Sequence, residues 1–259
     1  MMRRTTKLWL LAAGALVLAG CILFAGTMAA LGWDFSKLSV VQFETNTYPI
    51  GESFRDIAVT TDTADIAFAA SADGTCSVVV CEDAEHAKHT VTVEEQTLVI
   101  RLEQKSAWYD CIGLFLGTPK ITVYLPDAQH RALTVTGSTG NVELPQPLAF
   151  EHAEISLTTG NADLSASVSG TAAIRTSTGN IRAADPAVGA LDLSATTGAV
   201  GVTDVTCRDD LTVQVTTGDA ELCGVSCRNL VSGGSVGNLR LERVIAAEQL
   251  SIERSTGHV

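Results

Sequence analysis

The sequence predicts an all-β fold: an N-terminal transmembrane helix, a region of short strands, then a parallel β-solenoid with turns of 19–20 residues. Three observations carry that prediction. One phrase, apolar–x–(Ser/Thr)–Thr–Gly–Asn–apolar, recurs with its glycines at Gly140, Gly160, Gly179, Gly198, Gly218, Gly237 and Gly257. Apolar residues keep fixed offsets from those glycines. An uncharged apolar run from Leu8 to Leu31 precedes everything else.

The apolar run is long enough to cross the core of a bilayer as a helix. Arg3, Arg4 and Lys7 stand before it, which predicts a signal anchor with a cytoplasmic tip and the remainder of the chain outside. "LAGC" (Leu18 to Cys21) has the form of a lipoprotein cleavage box, so lipidation of Cys21 is the alternative. The ten apolar residues that follow Cys21 favour the uncleaved anchor. Residues 1–34 are therefore tip and anchor, and 35–53 a polar stalk with one strand.

Composition narrows the rest. Aromatic residues make up only 5% of the chain, while Thr, Ala, Val and Gly are abundant, a mixture that suits strands. The net charge of −12 argues against nucleic acid as a partner, because phosphate binding needs clustered Lys and Arg.

Between residues 54 and 130 the pattern alternates with period two in "RDIAVTT", "ADIAFAA", "CSVVVCE", "HTVTVEE", "TLVIRLEQ" and "KITVYLP". These segments predict half-buried strands joined by hairpin-like turns. The insertion "KSAWYDCIGLFLGT" breaks the pattern. Its Trp108, Tyr109, Ile112, Leu114 and Phe115 form either a cap on the first solenoid turn or an exposed patch for a membrane partner.

From residue 131 to 259 the repeat takes over. Five positions before each glycine stand Val135, Ile155, Ile174, Leu193, Val213, Ser232 and Ile252. Two positions after it stand Val142, Ala162, Ile181, Val200, Ala220, Leu239 and Val259. Inward positions are thus odd before the glycine and even after it. A continuous strand keeps one parity, so the chain must turn a corner at Thr-Gly-Asn. Glycine tolerates the positive φ of such a corner, and Asn comes next. Stacked coils at ~4.8 Å would set the Asn side chains into a hydrogen-bonded ladder. The chain ends two residues after Gly257, within a repeat, which leads us to expect that the last coil and its cap are missing.

The anchor, then "FRDIAVTTDTADIAFAASADGTCSVVV", "TLVIRLEQ", "KITVYLP" and the "STGNVEL"-type repeats, resembles the bacterial putative-adhesin family of β-strand-repeat proteins (domain of unknown function 4097). The resemblance runs from Tyr48 to Val259. It implies a membrane-anchored extracytoplasmic β-solenoid with a role in adhesion or envelope-stress sensing, and it brings no catalytic residues.

The chemistry-bearing residues point the same way. Of Asp163, Asp185, Asp192, Asp204, Asp209, Asp210 and Asp219 only Asp185 and Asp204 share an offset in adjacent turns, six residues after the glycine. That position follows the short strand and does not pair carboxylates on an exposed strand face for acid–base catalysis, as a polysaccharide-cleaving β-helix requires. "EDAEHAKH" gathers Glu82, Asp83, Glu85, His86 and His89, a set read as a polar surface loop in preference to a metal site. Cys207 and Cys227 occupy one column, within disulfide reach or as buried thiols. The expectation is a non-enzymatic, cofactor-free, adhesin-like or envelope-associated module. Its partners are the membrane through its helix and either a membrane protein or a surface glycan. A β-helix enzyme or a stress-signalling accessory is the alternative.

Overall fold

A computed structural model describes residues 4–33, 43–83, 87–104, 118–126 and 128–259. The apolar run forms one helix, α1 (Arg4–Ala30). Its stretch Leu11–Ala30 is long and apolar enough to cross a membrane, with a mean hydropathy of 2.1.

The remainder is β structure. The first seven strands are β1 (Phe43–Ile50), β2 (Asp56–Thr63), β3 (Asp65–Ala70), β4 (Cys76–Asp83), β5 (Ala87–Glu94), β6 (Thr97–Gln104) and β7 (Lys120–Leu125). The repeat region opens with β8 (Gln129–Thr139), β9 (Val142–Leu144), β10 (Ala149–Thr159), β11 (Ala162–Leu164), β12 (Ser167–Thr178), β13 (Ile181–Ala184) and β14 (Ala187–Thr197). It closes with β15 (Val200–Thr203), β16 (Thr206–Cys207), β17 (Asp210–Thr217), β18 (Ala220–Cys223), β19 (Ser226–Val236), β20 (Leu239–Glu242) and β21 (Ile245–Thr256).

Each repeat is a long strand, a glycine corner and a short strand, and each lies parallel and in register on the next. Ile155 pairs with Val135 on one side and Ile174 on the other, while Ala162 pairs with Val142 and Ile181. The solenoid interior is a pile of these apolar residues. Val142 and Ala162 are fully buried and Ile181 is 1% exposed.

Stacking begins one coil before the repeat phrase does. β2 and β3 pair in parallel with β8 and β9, matching Ile57 to Leu133 and Ile66 to Val142. The other face of that coil takes β6 and β7, also parallel. The coil β2–β3 is thus held between a later segment, β6–β7, and the first phrase-bearing coil. Antiparallel strands then close the end: β5 on β6, β4 on β7 and β1 on β4. The hairpin reading of residues 54–130 therefore holds only for β4, β5 and their partners, and β2, β3, β6 and β7 are coil strands. The strand expected in the stalk is β1. The apolar insertion with Trp108, Tyr109, Ile112, Leu114 and Phe115 lies outside the described residues.

The corner glycines have two separate reasons to be glycine. Gly140 to Gly257 take φ between +136° and +147°, a region closed to side chains. A Cβ on Gly160 would also lie 1.8 Å from the carbonyl oxygen of Gly140, and each later corner repeats that approach to within 2.0 Å. Beside the glycines runs the polar ladder. Asp65 Oδ1 accepts from the backbone and side-chain amides of Asn141, Asn141 Oδ1 does the same for Asn161, and Asn161 Oδ1 accepts from Asn180 N. Ala199 interrupts it. Asp219 starts a second run by accepting from Asn238, and Asn238 accepts from His258 N. The first member of each run needs only to accept, so a carboxylate serves there.

Candidate functional site

The long strands do not run straight. Pairing registers shift between Phe150 and Ala153 and between Val168 and Thr171, the sign of a β-bulge that bends the strand and re-aims its side chains. At this bend the backbones close in on one another. A Cβ on Gly170 would lie 2.6 Å from Glu151 O, and one on Gly189 would lie 2.4 Å from Gly170 O.

Next to the bend the outward side chains are small. Ala149, Ser167, Ala187 and Thr206 follow one another coil by coil, beginning from Gln129. With so little projecting from this column, a groove opens along the solenoid axis. Its first part is an open depression of about 590 Å³ lined by Arg55, Gln129, His130, Arg131, Glu151 and Ser169. Its second part, about 420 Å³, shares Gln129 and Ser169 and runs past Phe150, Val188 and Gly189 to Thr206 and Arg208.

Polar side chains are fixed at both parts. Arg131 donates two hydrogen bonds to the Asp56 carboxylate, one of them Nε to Oδ1 at 2.7 Å. The guanidinium holds the Asp56 carboxyl below the usual carboxylate range. Gln129 Nε2 donates to Ser169 Oγ at 3.2 Å, and Arg208 Nη2 donates to Ser169 O at 3.0 Å. Beneath them His130 stacks on Phe54, ring centroids 5.7 Å apart, and tilts against Phe150 at 5.8 Å. The ring is 4% exposed and its Nε2 has no hydrogen-bond partner. Burial pushes its pKa down, opposed by a hydrogen bond to the Pro126 backbone.

A second polar cluster lies in the capped end. Thr61, Glu82 and His89 are all buried. Thr61 Oγ1 and His89 Nε2 are 3.0 Å apart, and His89 Nδ1 is 2.9 Å from Glu82 Oε2. The carboxylate also accepts from His89 N at 2.6 Å and from Asn46 Nδ2 at 3.1 Å. The relay ties β1, β2, β4 and β5 together. Two members of "EDAEHAKH", Glu82 and His89, therefore point inward, which corrects the surface-loop reading for them. Alternation places them there: Val78 and Val80 precede Glu82 on the buried face of β4. Glu85 and His86 lie outside the described residues, as does the side chain of Asp83. Among the described residues no three His, Cys, Asp or Glu side chains gather as a metal site.

Several of the acidic residues hold coils together. Asp192 pairs with Arg175 at 2.8 Å, Asp209 with Arg228 at 2.8 Å, and Asp210 accepts from Asn229 at 2.7 Å. Asp185 and Asp204 take left-handed corners at φ 60° and 52°, a conformation Asp tolerates better than most residues. Cys207 and Cys227 are both buried and free, and they stack in the column of Val188. Burial pushes the Cys207 thiol up to about 12. The groove itself was not read from the sequence. Its one signal was the run of small residues eleven or twelve positions before the corner glycines from Gly160 to Gly218.

Fold and groove together define a parallel β-solenoid with an axial, laterally open site. The chain belongs to the Toastrack DUF4097 family, whose profile matches residues 54–259. No curated protein matches it in sequence. Among solved structures it is similar to a putative adhesin from Parabacteroides distasonis, with 11% identity, 83% of this chain and 98% of that one covered, and a TM-score of 0.47. A putative adhesin from Bacteroides fragilis has 12% identity, covers 84% and 97%, and scores 0.40. A putative lipid binding protein from Parabacteroides distasonis has 16% identity, covers 83% and 97%, and scores 0.32.

Proposed function

We propose that this chain is a membrane-anchored, extracytoplasmic, non-enzymatic binding module, adhesin-like or envelope-associated, whose ligand surface is the axial groove. The groove is the observation that carries the reading. Rigid, mutually bonded coils fix its walls, its outward column is nearly free of projecting side chains, and polar groups stand along one rim. Such pre-organisation lowers the entropy cost of binding an extended partner. The carboxylates Asp192, Asp209, Asp210 and Asp219 are occupied in bonds between neighbouring residues of the stack, which supports a binding role over hydrolysis. The span Leu11–Ala30, preceded by basic residues, supports an anchor with the solenoid outside.

The test has two arms. Protease added to intact cells should degrade the β body and spare the tip; full protection of the β body refutes the orientation. Cells carrying the full chain should also attach to surfaces or to one another, and Ala187→Trp, which fills the groove, should reduce attachment several-fold. Unchanged attachment refutes the groove as the ligand surface.

A further inference from the structure

We infer that the end of the groove nearest the cap is a saccharide subsite, formed by Gln129, Arg131, Glu151 and Arg55 over the buried His130, with the glycan running on along the axis past Ala149, Ser167 and Ala187. This rests on the groove being the ligand surface and names what the surface holds.

The donor and acceptor set is the first argument. Glu151 only accepts, Arg55 and Arg131 only donate, and Gln129 and Ser169 do both. A hydroxyl also does both, so adjacent sugar hydroxyls can satisfy this mixture. A simple polyanion would meet the Glu151 carboxylate and the Asp56 carboxylate already paired with Arg131. Among the described residues Glu151 has no ion-pair or hydrogen-bond partner, and neither does the Arg55 side chain, so both can engage a ligand.

His130 is the second and independent argument. The residue is part of the lining of this end of the groove, its ring is nine-tenths buried against Phe54 and Phe150, and its Nε2 has no partner. The other ring nitrogen is taken by the Pro126 backbone carbonyl, so in the neutral ring Nε2 is a bare acceptor. Buried polar atoms are nearly always satisfied, so an unpartnered acceptor directly beneath this end of the groove marks where a hydroxyl donor, admitted by a small shift of the ring, would add a bond.

Other ligand classes fit less well. A peptide adding by strand augmentation needs a free sheet edge, and the backbone groups of the groove are already bonded to neighbouring coils. An acyl chain would match Ala149, Phe150, Ala187 and Val188 but would leave Arg55, Gln129, Arg131 and Glu151 at the cap end without partners. The outward column from Gln129 to Thr206 crosses four coil spacings, about 19 Å at ~4.8 Å each, which suits an oligosaccharide laid lengthwise.

The experiment uses the full chain in detergent micelles and three immobilised probes: dextran, a mannan and polygalacturonate. At least one should bind, and Glu151→Ala and Gln129→Ala should each weaken that binding about tenfold or more. Glu143→Ala, an exposed carboxylate outside the groove, should leave it unchanged. Thermal unfolding of all three variants should match the parent, since each changed residue is exposed. Preference for polygalacturonate, lost in Arg55→Ala, assigns a carboxylated sugar; equal binding of a neutral probe, insensitive to that change, assigns recognition through hydroxyls. No binding to any probe, or binding indifferent to both subsite variants, overturns the inference. If cell attachment falls in Ala187→Trp but not in Glu151→Ala or Gln129→Ala, the saccharide subsite is wrong while the groove stands.

Discussion

Gly179→Ala is the sharpest perturbation of the coil stack. The added Cβ would sit 1.9 Å from Gly160 O, whereas real Cβ atoms essentially never come within 3.0 Å of such a neighbour. The obstacle is backbone, so no rotamer relieves it. The coils must part at the corner, where Gly160 N donates to Thr178 O, Ala162 N to Asn180 O, and Asn180 N to Asn161 Oδ1. Losing three such bonds costs about 3 kcal/mol net. Holding a non-glycine residue near φ +146° adds about 1–3 kcal/mol. The sum, about 4–6 kcal/mol, is a large share of the stability of an ordinary domain. Gly201→Ala is the control, because its Cβ would meet nothing within 4 Å and its backbone needs no positive φ. Guanidinium unfolding followed by far-UV circular dichroism compares the two variants with the parent. A difference between them under about 1 kcal/mol would refute the reasoning about the corner.

Other expectations follow from the same structure. Ala199→Asn should mend the ladder by donating to Asn180 Oδ1 and accepting from Asp219 N, raising stability by about 1 kcal/mol in the same unfolding assay. His89→Ala should cost about 3 kcal/mol, because it removes one donor from the buried Glu82 carboxylate and strands Thr61; Thr61→Val should cost clearly less. The Asp56 carboxyl is depressed in the folded state, so its contribution is present above the ordinary aspartate pKa of about 4 and is lost as pH falls through the lowered folded value. Stability measured through that acid range should flatten in Arg131→Gln. Cys207, with its thiol near 12 and its side chain buried, should resist maleimide in the native state and react once denatured.

Most of the solenoid could be read from the sequence because its rules are local and repeated. The change of parity across Thr-Gly-Asn demanded a corner, and Val142, Ala162 and Ile181 face inward as that parity requires. The coil β2–β3 escaped the reading because its corner carries Ala64-Asp65 in place of Gly-Asn. Ala64 accepts the approach of Gly140 through its carbonyl, so the first coil on that side needs no glycine of its own. The pairing of β6 with β2 was beyond reach for another reason: nothing local in a strand records which distant strand lies beside it. The groove depends on what is missing from a surface, small side chains aligned by a bulge, and period-two patterning is blind to that. The burial of His130 likewise rests on its stacking between Phe54 and Phe150, which no local pattern records.

The interleaved head has a consequence for how such molecules vary in length. Because β2–β3 is clasped between chain segments that come later, the head closes only as a unit, and cutting out any one of its strands unseats the others. Beyond it every coil pairs its backbone only with its immediate neighbours, so excising the residues from one corner glycine to the next would rejoin matching backbone at matching height. Tail length can therefore drift by whole repeats while the head stays constant, giving a lineage a ruler with a fixed handle.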